Sequence, residues 1–526
     1  MKRPLLHSLF CLPLLGMPLM AGVAANATAS DWLRFRGPDG SGIAPDKTPV
    51  PAKFSPTENL KWKCELPGSG VSCPIVVGDK IFVTCYTGYG ELQGPIGKMD
   101  DLKRSLVCVN RADGKILWTK TVDAFLPEDE FKGAGVPQHG YASHTPVSDG
   151  KNVYCFFGKS GVYAFDLEGK ELWHADSGHG SDDPKWGSSS SPIEFGNLVI
   201  VTASAESRAL IAYDKATGKE VWREQNDGLN GVWGTPTLAK VKEGQTDLVI
   251  AVPNEVWGLN PETGKLRWFV DFASAAPAGG GGPGGPGGPG GGGRNSPAQY
   301  NSSAVVADGL VYALEGRAGK GAIKLGGADD VTKTHVAWQA NANARFGSPV
   351  VYEGKVYLIG GGVINVLDAK SGERVYQKRL DGSEAPGVPG GPGGGRGGPG
   401  GPGGGPPGAG GPGAGGPPPG GPGGGGPGGP GGGPGGGFGG GQRGGGGRGG
   451  MGGMDYSSPV IADGKIYFVT RSGDIHVLKT GDKFESLGVS RVTADKEDFS
   501  ATPAVCNGEL IVRSNKALYC VAETKK

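Results

Sequence analysis

Hydrophobic and polar residues alternate with a period of two along most of this chain. Residues 80–83, 152–156 and 465–469 are examples, and a glycine-containing turn precedes each run. Such alternation between turn residues is typical of β-strands joined by hairpins. The pattern therefore predicts an all-β protein.

The hairpins recur in similar units of about 45 residues, a period that indicates propeller blades or solenoid turns. Each unit begins with a small polar residue, usually followed by proline, and then an apolar strand. Eight positions begin a unit in this way. They are Cys73, Thr145, Ser191, Thr235, Ser303, Ser348, Ser458 and Thr502.

The last unit has only three predicted strands, which end near Tyr519, whereas residues 59–66 form a strand that belongs to no unit. Pairing this strand with the last unit would complete an eighth blade and leave no exposed sheet edge. The sequence thus predicts an eight-bladed β-propeller that is closed by its N-terminal strand. Cys64 and Cys520 would then lie on adjacent strands, either joined in a disulfide or as buried free thiols.

A second motif marks the turn between the third and fourth strands of a unit. It is most complete from Asp214 through Gly218 to Trp222. In this motif the aspartate caps the turn, the glycine adopts positive φ, and the aromatic ring packs between neighbouring blades. We assign these residues to the scaffold and not to a functional site. The blade-motif residues are Trp118, Asp166, Trp173, Asp214, Gly218, Trp222 and Trp268.

Glycine accounts for 105 of the 526 residues and is concentrated in two proline-containing tracts, at about 277–293 and 382–454. These tracts cannot bury a core, and we expect them to be disordered insertions. The other residues from 30 to 526 suffice for one large all-β domain. The 52 lysines and arginines balance the 51 aspartates and glutamates, which argues against binding to nucleic acid.

Residues 1–29 have the organisation of a secretory signal peptide. A basic pair precedes an apolar run from Leu5 to about Ala21, and small residues follow. The run contains two prolines and is short for a membrane-spanning helix, so we predict cleavage near Ser30. The protein is then exported, to the periplasm or outside the cell, with no transmembrane segment after signal removal.

The Ala-x-Asp-x-x-Thr-Gly-Lys-x-x-Trp pattern at 212–222 resembles the blade signature of pyrroloquinoline-quinone (PQQ)-type propellers. Residues 32–42, 140–146 and 186–192 also resemble an exported bacterial family, the PQQ-binding-like β-propeller repeat proteins. One branch of this superfamily contains quinoprotein alcohol and sugar dehydrogenases, in which PQQ and a calcium ion sit near the propeller axis. The other branch contains scaffolds that bind partner proteins, such as the propeller lipoprotein of the outer-membrane β-barrel assembly machinery.

The chain departs from both branches. It has no adjacent cysteines to match the vicinal disulfide of the dehydrogenases, its long insertions are glycine and proline, and it lacks the acylation site of the lipoprotein. We therefore expect a monomeric, non-catalytic scaffold, without a cofactor, that binds a protein or polysaccharide of the bacterial envelope. The alternatives are a PQQ-dependent oxidoreductase and a carbohydrate-active propeller.

The long insertions predict which face of the propeller binds the partner. Strand direction alternates within a blade, so second-to-third strand loops emerge on the same face as the connections between blades. All the long insertions, at 87–104, 121–143, 277–293 and 382–454, fall in these two places. We call this side the insertion face and expect the partner to bind there.

Aromatic residues just before the first strands should surround the axis on the insertion face. Such a collar suits a peptide, a sugar chain or a planar ligand. The alternative is that each aromatic only packs its loop against the next blade. The candidate collar residues are Tyr141, His144, Trp186, Trp233, Tyr300, Phe346, Tyr456 and Phe499.

Histidines occur in two pairs with a spacing of five residues. His139 and His144 lie in one connection, and His174 and His179 follow the second blade. A metal site would need these side chains close together with a carboxylate. We interpret the spacing as coincidence and assign no metal ligand.

Overall fold

The computed structural model describes the following residues: 31–91, 96–133, 135–272, 301–314, 321–340, 346–380 and 454–524. All of them belong to one compact unit, residues 1–383 with 453–526. A second unit, residues 384–452, lies outside the described residues. The predicted signal peptide, the tract at 277–293 and the tract at 382–454 up to residue 453 also lie outside them.

The described residues form eight antiparallel four-stranded sheets, one of which gains a fifth strand. Strand β1 (Leu60–Glu65) precedes the first complete blade. Blade 1 comprises β2 (Ile75–Val77), β3 (Lys80–Thr87), β4 (Lys103–Asn110) and β5 (Ile116–Asp123), and blade 2 comprises β6 (Val147–Ser148), β7 (Asn152–Phe156), β8 (Val162–Asp166) and β9 (Glu171–Ala175). Blade 3 comprises β10 (Ile193–Phe195), β11 (Leu198–Ala203), β12 (Ala209–Asp214) and β13 (Glu220–Gln225). Blade 4 comprises β14 (Thr237–Lys242), β15 (Gln245–Val252), β16 (Glu255–Leu259) and β17 (Leu266–Asp271).

Blade 5 comprises β18 (Val305–Ala307), β19 (Leu310–Tyr312), β20 (Gly321–Lys324) and β22 (Val336–Gln339), and blade 6 comprises β23 (Val350–Tyr352), β24 (Lys355–Gly360), β25 (Val363–Asp368) and β26 (Arg374–Arg379). Blade 7 comprises β27 (Val460–Ala462), β28 (Lys465–Val469), β29 (Ile475–Lys479) and β30 (Ser486–Ser490). Blade 8 comprises β31 (Ala504–Cys506), β32 (Glu509–Arg513) and β33 (Ala517–Val521) together with β1. Strand β21 (Asp329–Asp330) joins blade 4. The helices are α1 (Val136–His139), α2 (Thr332–His335) and short 3₁₀ turns at Met99–Asp101, Gly158–Ser160 and Asp227–Leu229.

The first strands of neighbouring blades contact one another and therefore surround the axis. Inner strands are buried on both faces because each blade is sandwiched between two others; β11 and β32 are buried along their whole length. Outer strands such as β13 bury only one side. The predicted all-β, eight-bladed propeller is thus confirmed.

The N-terminal strand closes the ring as predicted. Strand β1 pairs antiparallel with β33, placing Leu60 opposite Val521. Cys64 lies opposite Leu518, whereas Cys520 lies opposite Trp62, so the two cysteines are offset by two residues. All seven cysteines within the described residues are buried free thiols, which is the second of the two alternatives for Cys64 and Cys520 and not the disulfide.

Tryptophans of the outer strands bond to the next blade at five of the eight junctions within the described residues. Trp173 Nε1 donates to the carbonyl of Lys215 at 2.8 Å, and Trp222 Nε1 to that of Pro261 at 3.1 Å. The turn that accepts the bond contains a glycine with positive φ, against which the ring packs: a Cβ at Gly218 would lie 2.6 Å from Trp173. Equivalent bonds join Trp62 to Arg111, Trp118 to Leu167, and Trp338 to Ala369.

Aspartates at the ends of third strands cap these same turns. The Asp214 carboxylate accepts from the backbone N–H groups of Ala216 and Thr217 and from the Thr217 hydroxyl. Asp166 accepts from two backbone N–H groups of its own turn. Each carboxylate therefore satisfies N–H groups that the tight turn leaves without strand partners.

Trp268 does not follow the pattern. Its Nε1 donates to Asp247 Oδ2 at 2.7 Å within its own blade, and its ring lies over Gly258. Strand β21 pairs in parallel with β17 at this outer edge, as the fifth strand of blade 4. The long turn of blade 5 thus covers the outer edge of blade 4, where five other blades make a tryptophan contact with their neighbour.

Candidate functional site: an axial cup

The eight residues that begin the first strands form a closed circle of hydrogen bonds around the axis. Each backbone N–H donates to the side chain of the next member, and the seven bonds to hydroxyls measure 2.8 to 3.0 Å. Thr502 closes the circle by donating to Cys73 Sγ at 3.2 Å. We call these eight residues the axial ring. The sequence marked them only as strand starts, although the recurring small polar side chain was the signal of this arrangement.

The axial ring lines a cavity of about 390 Å³, which we call the axial cup. Four candidate collar residues also line it: Trp186, Trp233, Phe346 and Tyr456. The two tryptophan rings stack with centroids 5.7 Å apart, and the rings of Phe346 and Tyr456 lie 4.6 Å apart. Because these residues precede the first strands, they lie on the insertion-face side of the axial ring.

Residues 31–46, which we call the floor segment, cross the axis on the other side of the ring. Trp32 pairs antiparallel with Val76 of blade 1, and Ile43 pairs in parallel with Ile461 of blade 7. These contacts lie further along the first strands than the axial ring does. The floor segment therefore closes the axial cup on the face opposite the insertion face.

Two neighbouring residues of the floor segment have different roles. Phe35 lines the axial cup. Arg36 is buried and donates from Nη2 to the carbonyls of Pro349 at 2.5 Å and Ser41 at 2.9 Å. Burial lowers the pKa of Arg36 to about 9. The guanidinium thus ties the floor to blade 6 through backbone carbonyls.

The connection between β5 and β6 covers part of the opposite end. Gln138 and His139, in α1, line the axial cup, and the side-chain oxygen Oε1 of Gln138 accepts from Arg471 Nη1 of blade 7 at 2.7 Å. The Arg471 guanidinium lies 5.5 Å from the centre of the Tyr456 ring. Burial lowers the pKa of His139, whose Nε2 bonds to the carbonyl of Trp186 at 2.8 Å. This connection therefore narrows the cup without bringing a charged side chain into its lining.

The other candidate collar residues do not line the axial cup. The Tyr141 hydroxyl donates to a backbone carbonyl of the β5–β6 connection, and His144 Nε2 bonds to the Ser188 hydroxyl at 3.0 Å. Phe499 is buried in the core of blade 8. Tyr300 lies outside the described residues. Position before a first strand is thus not sufficient to aim a side chain at the axis.

A buried charged cluster lies beside the axial cup, around a cavity of about 30 Å³. Arg104 forms an ion pair with Glu128, and Lys159 Nζ lies 3.7 Å from Glu128 Oε1 and 3.3 Å from Asp129 Oδ1. Burial raises the pKa of the neighbouring Glu206 to about 7. The ion pairs fasten the β5–β6 connection to blades 1 and 2, which identifies the cluster as internal support for the rim of the cup.

The histidines make separate contacts. His174 Nε2 bonds to the carbonyl of Ser160 at 3.0 Å, and His179 Nδ1 to that of Lys159 at 3.1 Å. Across the described residues, no three histidine, cysteine, aspartate or glutamate side chains come together in a metal-binding arrangement. No helix in the same part of the chain has the length and apolar character needed to span a bilayer.

Comparison with known sequences gives a family match. The profile of the family described as "Outer membrane protein assembly factor BamB" matches residues 52–208, 104–335 and 158–391. Together these matches extend over residues 52–391, which is more than half of the chain. No curated protein sequence matches the chain.

Solved structures of low sequence identity align with most of the chain. A quinohemoprotein alcohol dehydrogenase from Comamonas testosteroni aligns with a TM-score of 0.51 and 11% identity, covering 95% of this chain and 82% of its own. BamB from Moraxella catarrhalis aligns with a TM-score of 0.44 and 10% identity, covering 90% of this chain and 99% of its own. The alignment with the dehydrogenase indicates a common fold and not a common activity.

Proposed function

Because the chain belongs to the family described as outer membrane protein assembly factor BamB, we propose that it is a non-catalytic binding scaffold of the bacterial envelope. In this proposal the protein is exported, acts as a monomer and binds an envelope protein or polysaccharide through its insertion face. The observation that carries the proposal is the axial cup, which is closed by the floor segment and walled by aromatic side chains towards the insertion face.

The described loops support the choice of face. The loop between β3 and β4 and the connection between β5 and β6 are the long ones of blade 1, and both emerge on the insertion face. Most turns on the opposite face are short, as between β10 and β11, and the turn between β20 and β22 of blade 5 is the long exception. Long loops on a rigid scaffold are common binding elements.

The lining of the axial cup argues against PQQ chemistry there. PQQ carries three carboxylate groups, which a buried site must match with cationic side chains or a metal ion. Among the described residues, the cup has no lysine, arginine, aspartate or glutamate in its lining, and burial lowers the pKa of His139, its one histidine. The residues present do not fit this cofactor, which supports the non-catalytic interpretation.

The test is photo-crosslinking in native envelopes. A benzophenone side chain, which reacts with protein and glycan alike, replaces Lys98 in the β3–β4 loop, and a matched variant carries it at Lys219 in a turn of the opposite face. Both lysines are exposed. We expect a discrete adduct from the Lys98 variant and none from the Lys219 variant.

Equal adducts from both positions, or none from either, would contradict the proposal. A second measurement addresses the oxidoreductase alternative. The purified chain is titrated with PQQ and assayed for dye-linked oxidation of alcohols and sugars. Saturable binding with turnover would reject the non-catalytic scaffold.

A further inference from the structure

The axial ring presents hydrogen-bond donors that the protein does not use. Each of its seven hydroxyls accepts a backbone N–H. The hydroxyls of Thr145 and Thr502 also bond to the Cys73 thiol, but none of the other five donates to a protein acceptor among the described residues. All seven side chains are more than nine-tenths buried and line the axial cup. A buried donor without an acceptor is costly, so the cup requires acceptor atoms from water or from a ligand.

The geometry of the ring also determines how these hydroxyls act. A hydroxyl that accepts a hydrogen bond becomes a stronger donor, because the two bonds polarise one another. Each oxygen has two lone pairs, and the backbone N–H uses one of them. Five hydroxyls of the ring, those of Ser191, Thr235, Ser303, Ser348 and Ser458, therefore each offer one donor and one acceptor to the axis, which is the combination that another hydroxyl group matches.

The walls above the ring add apolar surface. Trp186 and Trp233 stand on one part of the wall, and Phe346 and Tyr456 on another. Aromatic faces pack against the C–H surfaces of amphipathic rings while polar groups bond elsewhere. A volume of about 390 Å³ is at the lower end of the range for small-molecule pockets, which fits one or two sugar units.

Three ligand chemistries can be compared on this basis. An apolar side chain would displace water and leave the ring hydroxyls without acceptors. An anion would find no cationic side chain in the lining among the described residues. A neutral sugar would supply donors and acceptors to the ring and an apolar face to the walls.

We propose that the axial cup binds one or two neutral sugar units of an envelope glycan. The inference rests on the proposed function, in which the insertion face is the binding surface. It names the ligand of the cup itself. The ligand enters between the aromatic walls and places its hydroxyl groups against the axial ring, above Phe35.

The test is a titration of the purified full chain with glucose, galactose, N-acetylglucosamine, maltose and cellobiose, followed by calorimetry and tryptophan fluorescence. We expect saturable binding of at least one sugar, with a fluorescence change from Trp186 and Trp233. Thr235→Val should lower the affinity about tenfold, because it removes a hydroxyl at nearly constant volume. Thr235→Ser keeps the hydroxyl and should stay within about threefold of the original affinity.

A further pair of variants separates binding from folding. Replacing Trp186 and Trp233 together by alanine should abolish the fluorescence change and the binding, while thermal unfolding remains cooperative. Trp222→Phe, at a blade contact away from the cup, should keep the sugar affinity. Both variants are compared by circular dichroism before titration, so that a misfolded protein is recognised.

The inference is overturned if none of the five sugars saturates the protein below about 10 mM, or if Thr235→Val binds as tightly as Thr235→Ser. These outcomes are separable from failure of the scaffold proposal. A protein adduct at Lys98 without sugar binding rejects the sugar site alone. Sugar binding without a Lys98-specific adduct rejects the insertion face as the partner-binding surface. The axial cup then remains supported as a sugar-binding site.

Discussion

The thiol of Cys73 is the exception in a ring of hydroxyls. Its Sγ accepts the N–H of Thr502 at 3.2 Å, and burial raises the pKa of the thiol, which therefore stays protonated. Sulfur is a weak hydrogen-bond acceptor compared with a hydroxyl oxygen. The junction between blades 8 and 1 thus has the weakest bond of the axial ring, at the point where the propeller closes.

We expect Cys73→Ser to raise the free energy of unfolding by up to about 1 kcal/mol, because it completes the ring with an eighth hydroxyl. Cys73→Ala should lower it by about 1 kcal/mol, because the Thr502 N–H loses its partner. Urea denaturation measures both values. Equal stability of the two variants would show that the closing bond contributes nothing.

Glu206 makes the stability of the rim depend on pH. Its carboxylate is buried, accepts the Ser188 hydroxyl at 2.5 Å and has a pKa of about 7. Burial is the main cause; Glu128 raises the pKa further, and Arg104 opposes the change. Because the folded pKa lies above the unfolded value of 4.5, folding favours the protonated form, and stability falls as the pH rises from about 4.5 to about 7.

Glu206→Gln removes this titration and keeps a carbonyl that accepts from Ser188. We expect the variant to be more stable than the original chain by about 3 kcal/mol at pH 8 and by less than about 1 kcal/mol at pH 5. The measurement is urea denaturation at both pH values. Glu171→Gln, at an exposed carboxylate, is the control and should show no such difference. A gain that is the same at both pH values would indicate a packing effect instead of titration.

Among the elements of the fold, the contact between an outer strand and the next turn sets the spacing of the blades. Gly218 has φ of +70° and meets the Trp173 ring, whereas Gly196 has φ of +57° with no atom close to the position of a Cβ. Both positions disfavour a side chain through backbone strain. Only Gly218 adds a clash with a neighbouring blade.

Gly218→Ala should therefore lower the free energy of unfolding by about 2 to 4 kcal/mol, as the sum of strain and overpacking. Gly196→Ala, the matched control, should cost about 1 to 2 kcal/mol from strain alone. Chemical denaturation of both variants gives the comparison. If the two substitutions cost the same, the tryptophan contact has room to adjust and does not fix the blade spacing.

Local patterns were sufficient to predict most elements of this fold. Alternation and turn residues identified the strands, and the orphan strand at 59–66 indicated the closure that β1 makes with β33. The pattern did not predict β21, because two consecutive aspartates have no strand periodicity. Trp268 shares the sequence motif but bonds within its own blade, since its partner turn in blade 5 has a different length.

The candidate functional site was harder to predict from the sequence than the fold, because local patterns do not determine where its side chains point. A position before a first strand predicts the side of the propeller but not the direction of the side chain. Trp186 and Tyr456 line the axial cup, whereas Phe499 packs inward and Tyr141 turns to the β5–β6 connection. These directions depend on packing partners distant in sequence. The axial ring likewise depends on bonds between residues in different blades, so the recurring small polar residue marks its members without showing that they bond to one another.

At the scale of the whole molecule, two N-terminal segments close the propeller in different ways. Strand β1 supplies the outer strand of blade 8, and Lys61 pairs with Glu509, which also bonds to Arg111 of blade 1. The floor segment crosses the axis and bonds to the first strands of several blades. The first contact closes the circle of sheets, and the second closes only the axial cup.

We therefore expect a variant lacking residues 31–46 to remain a folded monomer of lower stability. In hydrogen exchange, the amides of Val76 and Ile461 should lose protection, because they donate to the floor segment, while that of Tyr519 within blade 8 should keep it. Loss of Phe35 opens the cup to the opposite face, so sugar affinity should also fall at least tenfold.

A variant lacking residues 31–66 is the comparison, because it removes β1 as well. It leaves β33 as an unpaired edge and separates blade 8 from blade 1, so we expect aggregation or non-cooperative unfolding, as measured by light scattering and thermal denaturation. Similar behaviour of the two deletion variants would contradict this division of roles. If both melted cooperatively at the same temperature, the circle would be held by the axial ring and the blade contacts without its closing strand. If both aggregated, the floor segment would be part of the closure and not a separate base to the cup.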